Sequence, residues 1–145
     1  IKNNMKKKIV LVSGYFNPIH KGHIEYFHKA KKLGDKLFVI VNNDFQRELK
    51  GSKKFMLEDE RILIINELKV VDMAFLSIDK NKNVSSSIEY LHSSFFRDYD
   101  FMFVNGGDQN NQTIPESIIC KKLGIKLVDG LGEKIQSSSW LLNEN

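Results

Sequence analysis

The chain has 145 residues, 41% hydrophobic and 28% charged, enough for one domain with its own core. It holds no run of about 18 apolar residues, which excludes a helical membrane span, and Ile1–Lys8 is polar and basic, unlike the start of a secretory leader. The net charge of +4, mostly lysine, helps attract a phosphorylated small molecule but lacks the basic stripe with interleaved aromatics of a nucleic-acid groove.

Residues 1–7 read as a lead-in, an extension or tag remnant with Met5 as a candidate native start, and 8–145 read as the folded domain. The lone cysteine, Cys120, excludes an internal disulfide and fits a reducing compartment, here the cytoplasm. On the apolar helical face of "PESIICKKLG" it reads as a buried structural thiol.

In chain order, "KIVLVS" (8–13) is a short β-branched run and predicts a strand. "GHIEYFHKAKKLG" (22–34) puts Ile24, Phe27, Ala30 and Leu33 on one helical face, with Gly34 as its stop. "KLFVIVN" (36–42) predicts a second strand. Residues 43–57 form the longest irregular stretch, long enough to suspect function. "EDERILIINELK" (58–69) predicts a helix with acids in its first turn, as the dipole favours. Then follow a strand at 71–77, a helix at 84–95, a strand at 100–105, a helix at 114–124 with Pro115 in its first turn, a strand at 125–130 and a short helix starting in "SSSWLL" (137–142).

Continuous apolar strands alternating with helices predict an α/β fold: a Rossmann-like, doubly wound, five-stranded parallel sheet with helices on both faces. Such sheets bind ligands beyond the carboxyl ends of their strands, where the strand order reverses. Residues 13–23, 42–55, 105–113 and 130–139 fall at those ends.

The first of these segments, "SGYFNPIHKGH", turns through Gly14-Tyr15-Phe16-Asn17-Pro18 into a helix that opens near Gly22. Free backbone N–H groups at a helix start bind phosphate. His20 and His23, at i and i+3, lie on the same side of that opening. Imidazoles there can donate to phosphate oxygens as charge builds up during transfer.

"GYFNPIHKGH" resembles the H-x-G-H signature of the cytidylyltransferase-like nucleotidyltransferase superfamily. Further segments agree in order. "LGDKLFVIVNND" (33–44) and "LKGSKKFMLEDERILIINELKVVD" (49–72) resemble glycerol-3-phosphate cytidylyltransferases and heptose-phosphate adenylyltransferases, "VNGGDQN" (104–110) resembles the heptose branch, and "GEKIQSSS" (132–139) stands where the family has I-S-T-T.

The resemblance implies attack of a substrate phosphate on the α-phosphate of CTP or ATP, with release of pyrophosphate and Mg²⁺ brought by the triphosphate rather than by a protein cage. Its nearest likeness is the glycerol-3-phosphate type, with the heptose-phosphate adenylyl type or a non-catalytic nucleotide binder as alternatives. By position it assigns catalysis to His20, His23, Lys50, Lys53 and Arg61. It assigns nucleotide binding to Gly14, Tyr15, Phe16, Gly22, Gly106, Gly107, Asp108, Ser137, Ser138 and Ser139, and the acceptor to Asn17 and Asp44. The partners implied are the triphosphate, a small phosphorylated acceptor and a second copy of the chain in a homodimer, with no nucleic acid and no membrane.

Plainer readings stand beside these. The two histidines also suit helix capping or zinc, although Glu25 is the one acid near ligand spacing. Ser137–Ser139 are N-cap candidates, the lysines at 50 and 53 suit a solvated loop, "NGGD" suits a turn, and Arg61 has Glu58 and Asp59 on its own helix. Asn17 replaces the Asp of many cytidylyl members, and the arginine of the R-T-E-G-I-S-T-T form is missing, with Lys134 nearby.

Overall fold

The structure, a computed structural model, describes residues 6–105 and 114–129. Its elements run β1 (Lys7–Gly14), α1 (Lys21–Lys31), β2 (Lys36–Val41), α2 (Asp44–Lys50), α3 (Glu58–Asn66), β3 (Met73–Leu76), α4 (Ser85–Phe95), β4 (Tyr99–Asn105), α5 (Glu116–Leu123) and β5 (Lys126–Asp129). The five strands pair in parallel in the order β3-β2-β1-β4-β5, which is the doubly wound sheet expected from the alternating pattern.

The continuous apolar runs are explained by burial on both faces. Ile9, Leu11, Phe38 and Ile40 pack with Ile88, Leu91 and Cys120 of α4 and α5. The alternate residues Val10, Val12, Leu37 and Val39 pack with Phe27, Ala30 and Ile65 of α1 and α3. Right-handed crossovers produce this division: the chain builds outward from β1 to β3, then returns past β1 and builds the other way, so later helices land on the opposite face. Cys120 is fully buried in the first core, and burial, with a smaller contribution from Glu116, pushes its thiol up to about 12.

Two local readings change. Inside 43–57 the chain forms α2, started by Asn43, whose side chain accepts from the Gln46 amide, and stopped by Gly51 at φ 83°. Its apolar residues Phe45 and Leu49 face outward, 52% and 42% exposed, while Gln46 and Arg47 are buried, so hydrophobic periodicity points the wrong way. Gly34 does not cap α1, which ends at Lys31. It lets the chain pass β1, since a Cβ there would stand 2.7 Å from Val10 Cγ2 and 3.1 Å from the Lys8 carbonyl.

Among the described residues, no helix is long and apolar enough to cross a membrane. The expected helix at 137–142 lies outside them.

Candidate active site

The strand order reverses between β1 and β4. Their pairing ends at Leu11 and Phe103, whereas β1 stays paired with β2 as far as Gly14 and Val41. The sheet therefore opens beyond Leu11, and the turn 15–20 rises beside that opening. This is where an open α/β sheet takes its ligand.

His20 is the N-cap of α1, with extended backbone. Its Nδ1 accepts from the Gly22 amide at 3.0 Å, and His23 Nδ1 accepts from the His20 amide at 3.1 Å. The rings stack with centroids 3.9 Å apart. A nitrogen that accepts carries no proton, so each neutral ring holds its hydrogen on Nε2. Burial, reinforced by His20, drives His23 down to about 4, and burial also lowers His20. The pair is thus two neutral Nε2–H donors at physiological pH. The Gly22 amide is thereby engaged by His20.

Phe16 shapes the turn. It adopts φ 53°, an unusual backbone for a non-glycine residue, and its ring is buried edge-on against His23 and Phe27 at 5.0 and 5.4 Å. A Cβ on Gly14 would stand 2.8 Å from Phe16 Cζ, so Gly14 is there to admit this ring. Tyr26 ties α1 to β4 by donating its hydroxyl to the Val104 carbonyl at 3.2 Å.

Arg61, expected near the phosphates, is fully buried and spent on the protein. Its guanidinium donates to the carbonyls of Met56 at 3.0 Å, Tyr15 at 2.8 Å and Asn42 at 2.6 Å, and to Asp44 Oδ1 at 2.6 Å. It braces the histidine turn, the end of β2 and the start of α2. Asp44, expected to face an acceptor, is Arg61's partner; its Oδ2 accepts from the Glu58 amide and its own amide donates to Glu58 Oε1. The reading that paired Arg61 with its own helix had the right kind of partner in the wrong element.

Lys50 lies on the last turn of α2, not on a loop, with Nζ 4.4 Å from the centre of the Tyr15 ring. Lys53 is on the loop, and its carbonyl accepts from Asn17 Nδ2 at 2.6 Å. The structure therefore gathers Gly14, Tyr15, Phe16, Asn17, His20, Gly22, His23, Asp44, Lys50, Lys53 and Arg61 at one end of the sheet, although it makes Arg61 and Asp44 internal braces. Gly106, Gly107, Asp108, Lys134 and Ser137–Ser139 lie outside the described residues.

Sequence reasoning missed the polar floor beneath α2. Gln46 is fully buried, donating to the carbonyls of Asn81 at 2.7 Å and Asn83 at 2.9 Å. Asp79, also buried, accepts from the amides of Ser86 at 2.7 Å and Ser87 at 3.0 Å and so caps α4 from outside the usual capping window. Only the Asn43-to-Gln46 spacing signalled any of this in advance. Among the described residues, no group of three His, Cys, Asp or Glu side chains could hold a metal ion.

The chain matches the family model described as cytidylyltransferase-like over residues 11–129. A FAD synthase of Thermoplasma volcanium is 43% identical over 67 residues, which cover 46% of this chain and 47% of that protein. The bifunctional protein HldE of Blochmanniella pennsylvanica is 36% identical over 110 residues, 74% of this chain and 21% of that protein. The chain thus spans less than half the length of these curated relatives. Among solved structures, a lipopolysaccharide core biosynthesis protein from Thermoplasma volcanium superposes with a TM-score of 0.62 at 29% identity, covering 85% of this chain and 95% of that one. With the family match running from β1 to the end of β5, the chain belongs to the cytidylyltransferase-like family.

Proposed function

We propose that the protein is a nucleotidyltransferase that moves AMP from ATP to a small phosphorylated acceptor. The observation that carries the reaction class is the pair of imidazoles whose Nδ1 atoms both accept backbone N–H groups, at 3.0 and 3.1 Å, beside the opening of the sheet. The choice of AMP is supported by one relative, which is named for synthesis of an adenine dinucleotide.

The chemistry follows from the donors. An oxygen of the acceptor phosphate attacks the α-phosphorus in line, a new P–O bond forms, and the bond to pyrophosphate breaks. A phosphate nucleophile is already anionic, so no base has to remove a proton. What the site must do is hold the groups in line and meet negative charge as it builds on the phosphoryl oxygens. The Nε2–H groups of His20 and His23 do this as neutral donors. Lys50 and Lys53 bring positive charge from the α2 side. Mg²⁺ arrives with the triphosphate as part of the substrate. A homodimer is the proposed assembly.

The test is calorimetric titration with Mg²⁺ and each of the four ribonucleoside triphosphates, followed by pyrophosphate release with FMN, a heptose phosphate and glycerol 3-phosphate as acceptors. Binding and turnover with ATP support the proposal. Turnover with CTP and glycerol 3-phosphate replaces it with cytidylyl transfer. Triphosphate binding without pyrophosphate release from any acceptor marks a nucleotide-binding protein without turnover.

A further inference from the structure

We propose that Asn17 is a positioning residue whose carboxamide locks the loop 52–57 against the histidine turn and so sets the place of Lys53 before a triphosphate arrives. The role given to Lys53 rests on the nucleotidyl-transfer reading; the lock itself rests on geometry.

The loop 52–57 contains no helix or strand. Its apolar side chains Phe55 and Leu57 are 67% and 47% exposed, so core packing does little to fix it, and such segments open at low cost unless their backbone groups are held. Arg47 donates to the Ser52 carbonyl at 2.7 Å and Arg61 to the Met56 carbonyl at 3.0 Å. Both arginines come from the helices that flank the loop, and they hold its two ends.

Asn17 holds the middle, and it does so from the turn that carries His20. Its Nδ2 donates to the Lys53 carbonyl at 2.6 Å, while its Oδ1 accepts from the amides of Phe55 at 3.2 Å and Met56 at 2.8 Å. That pattern needs a donor on one side of a flat group and an acceptor on the other, which is what an amide offers. An aspartate of the same shape keeps the two accepted bonds but sets an anionic oxygen against the Lys53 carbonyl. This accounts for asparagine at position 17 without reference to the acceptor substrate. The grip is on the peptide of Lys53 itself, so the root of the lysine side chain is fixed relative to His20. A charge that is already placed loses less freedom on binding than one that must be gathered.

The experiment uses the full chain and the variants Asn17→Ala, Asn17→Asp, Lys53→Ala and the double variant Asn17→Ala/Lys53→Ala. Two quantities are read: the rate of chymotryptic cleavage after Phe55 without nucleotide, and Mg²⁺–ATP affinity by calorimetry. Cleavage should speed up by about tenfold in Asn17→Ala, the scale of losing a hydrogen-bonded anchor, and by less in Asn17→Asp. Affinity should fall in Asn17→Ala and in Lys53→Ala, and the double variant should be no weaker than Lys53→Ala alone, because the lock acts through that side chain. Unchanged cleavage in folded Asn17→Ala, or in Asn17→Asp if the alanine variant does not fold, overturns the lock. Additive losses in the double variant overturn its link to Lys53. A wild-type protein that binds no triphosphate sinks the functional reading, and the cleavage ratio still decides the lock.

Discussion

Asp44 and Glu58 cap each other's helices: the Asp44 amide donates to Glu58 Oε1 at 2.8 Å, and the Glu58 amide donates to Asp44 Oδ2 at 3.1 Å. Each carboxylate lies at the positive end of the other's helix. The exchange welds α2 to α3 across the loop 52–57, and Arg61 seals it from below.

The two partners should not be equivalent to mutation. Glu58→Ala removes one cap and should cost about 1 kcal/mol. Asp44→Ala also strips the carboxylate from Arg61, which is fully buried, and an uncompensated buried charge costs about 3 kcal/mol or more. Urea denaturation of both variants checks the ordering; equal losses would show that Arg61 does not depend on Asp44.

Removing a histidine donor should damage the reaction far more than the fold. His23→Ala should lower turnover about 100-fold, the scale of losing a donor to developing charge. Pyrophosphate release by a variant with intact near-UV circular dichroism decides this, and near-normal turnover would remove His23 from the mechanism.

Acid should weaken the fold through the same residue. The native ring is held down to about 4, whereas the unfolded chain takes up that proton near 6.5. Between those values the unfolded state binds more protons, so stability falls as the pH falls and is complete above the unfolded value. His23→Asn retains an acceptor for the His20 amide without titrating there. The denaturation midpoint of this variant should depend less steeply on pH between 6.5 and 4 than that of the wild type; equal slopes would mean that other groups carry the effect.

Gly14→Ala should strike the site through Phe16. The added Cβ meets the buried Phe16 ring at 2.8 Å, and that ring supports His23. Overpacking of this kind costs about 1–3 kcal/mol, and turnover should fall with it. A variant with wild-type Tm and turnover would show that the ring moves aside freely.

Cys120→Ser should leave turnover per folded molecule unchanged while lowering stability by about 1–3 kcal/mol, because a hydroxyl replaces a fully buried thiol in an apolar core. A loss of turnover without destabilisation would give the thiol a role outside packing.

The parts legible in the sequence were those encoded within a few residues. Ile9–Val12 and Leu37–Val41 announce buried strands because both faces of the sheet are covered. The histidine turn is visible because its capping bonds close within residues 20–23. The bracing bonds of Arg61 were not legible because its carboxylate partner, Asp44, and the carbonyls of Tyr15 and Asn42 come from other elements that only the fold assembles. The same is true of Asp79, whose helix begins at Ser85. Helix α2 stayed hidden because it buries its polar side chains and exposes Phe45 and Leu49.

The strand order also bears on synthesis. Of the five described strands β1 is translated first and is the central one, and its second neighbour, β4, begins only at Tyr99. The nascent chain can pair β1, β2 and β3 and cover one face with α1 and α3. Until α4, β4 and α5 emerge, Ile9, Leu11, Phe38 and Ile40 on the other face wait without their packing partners. A half-made sheet with one greasy side and an open edge invites association with other chains. Between translation of β3 and translation of α5, that apolar face is therefore open to association.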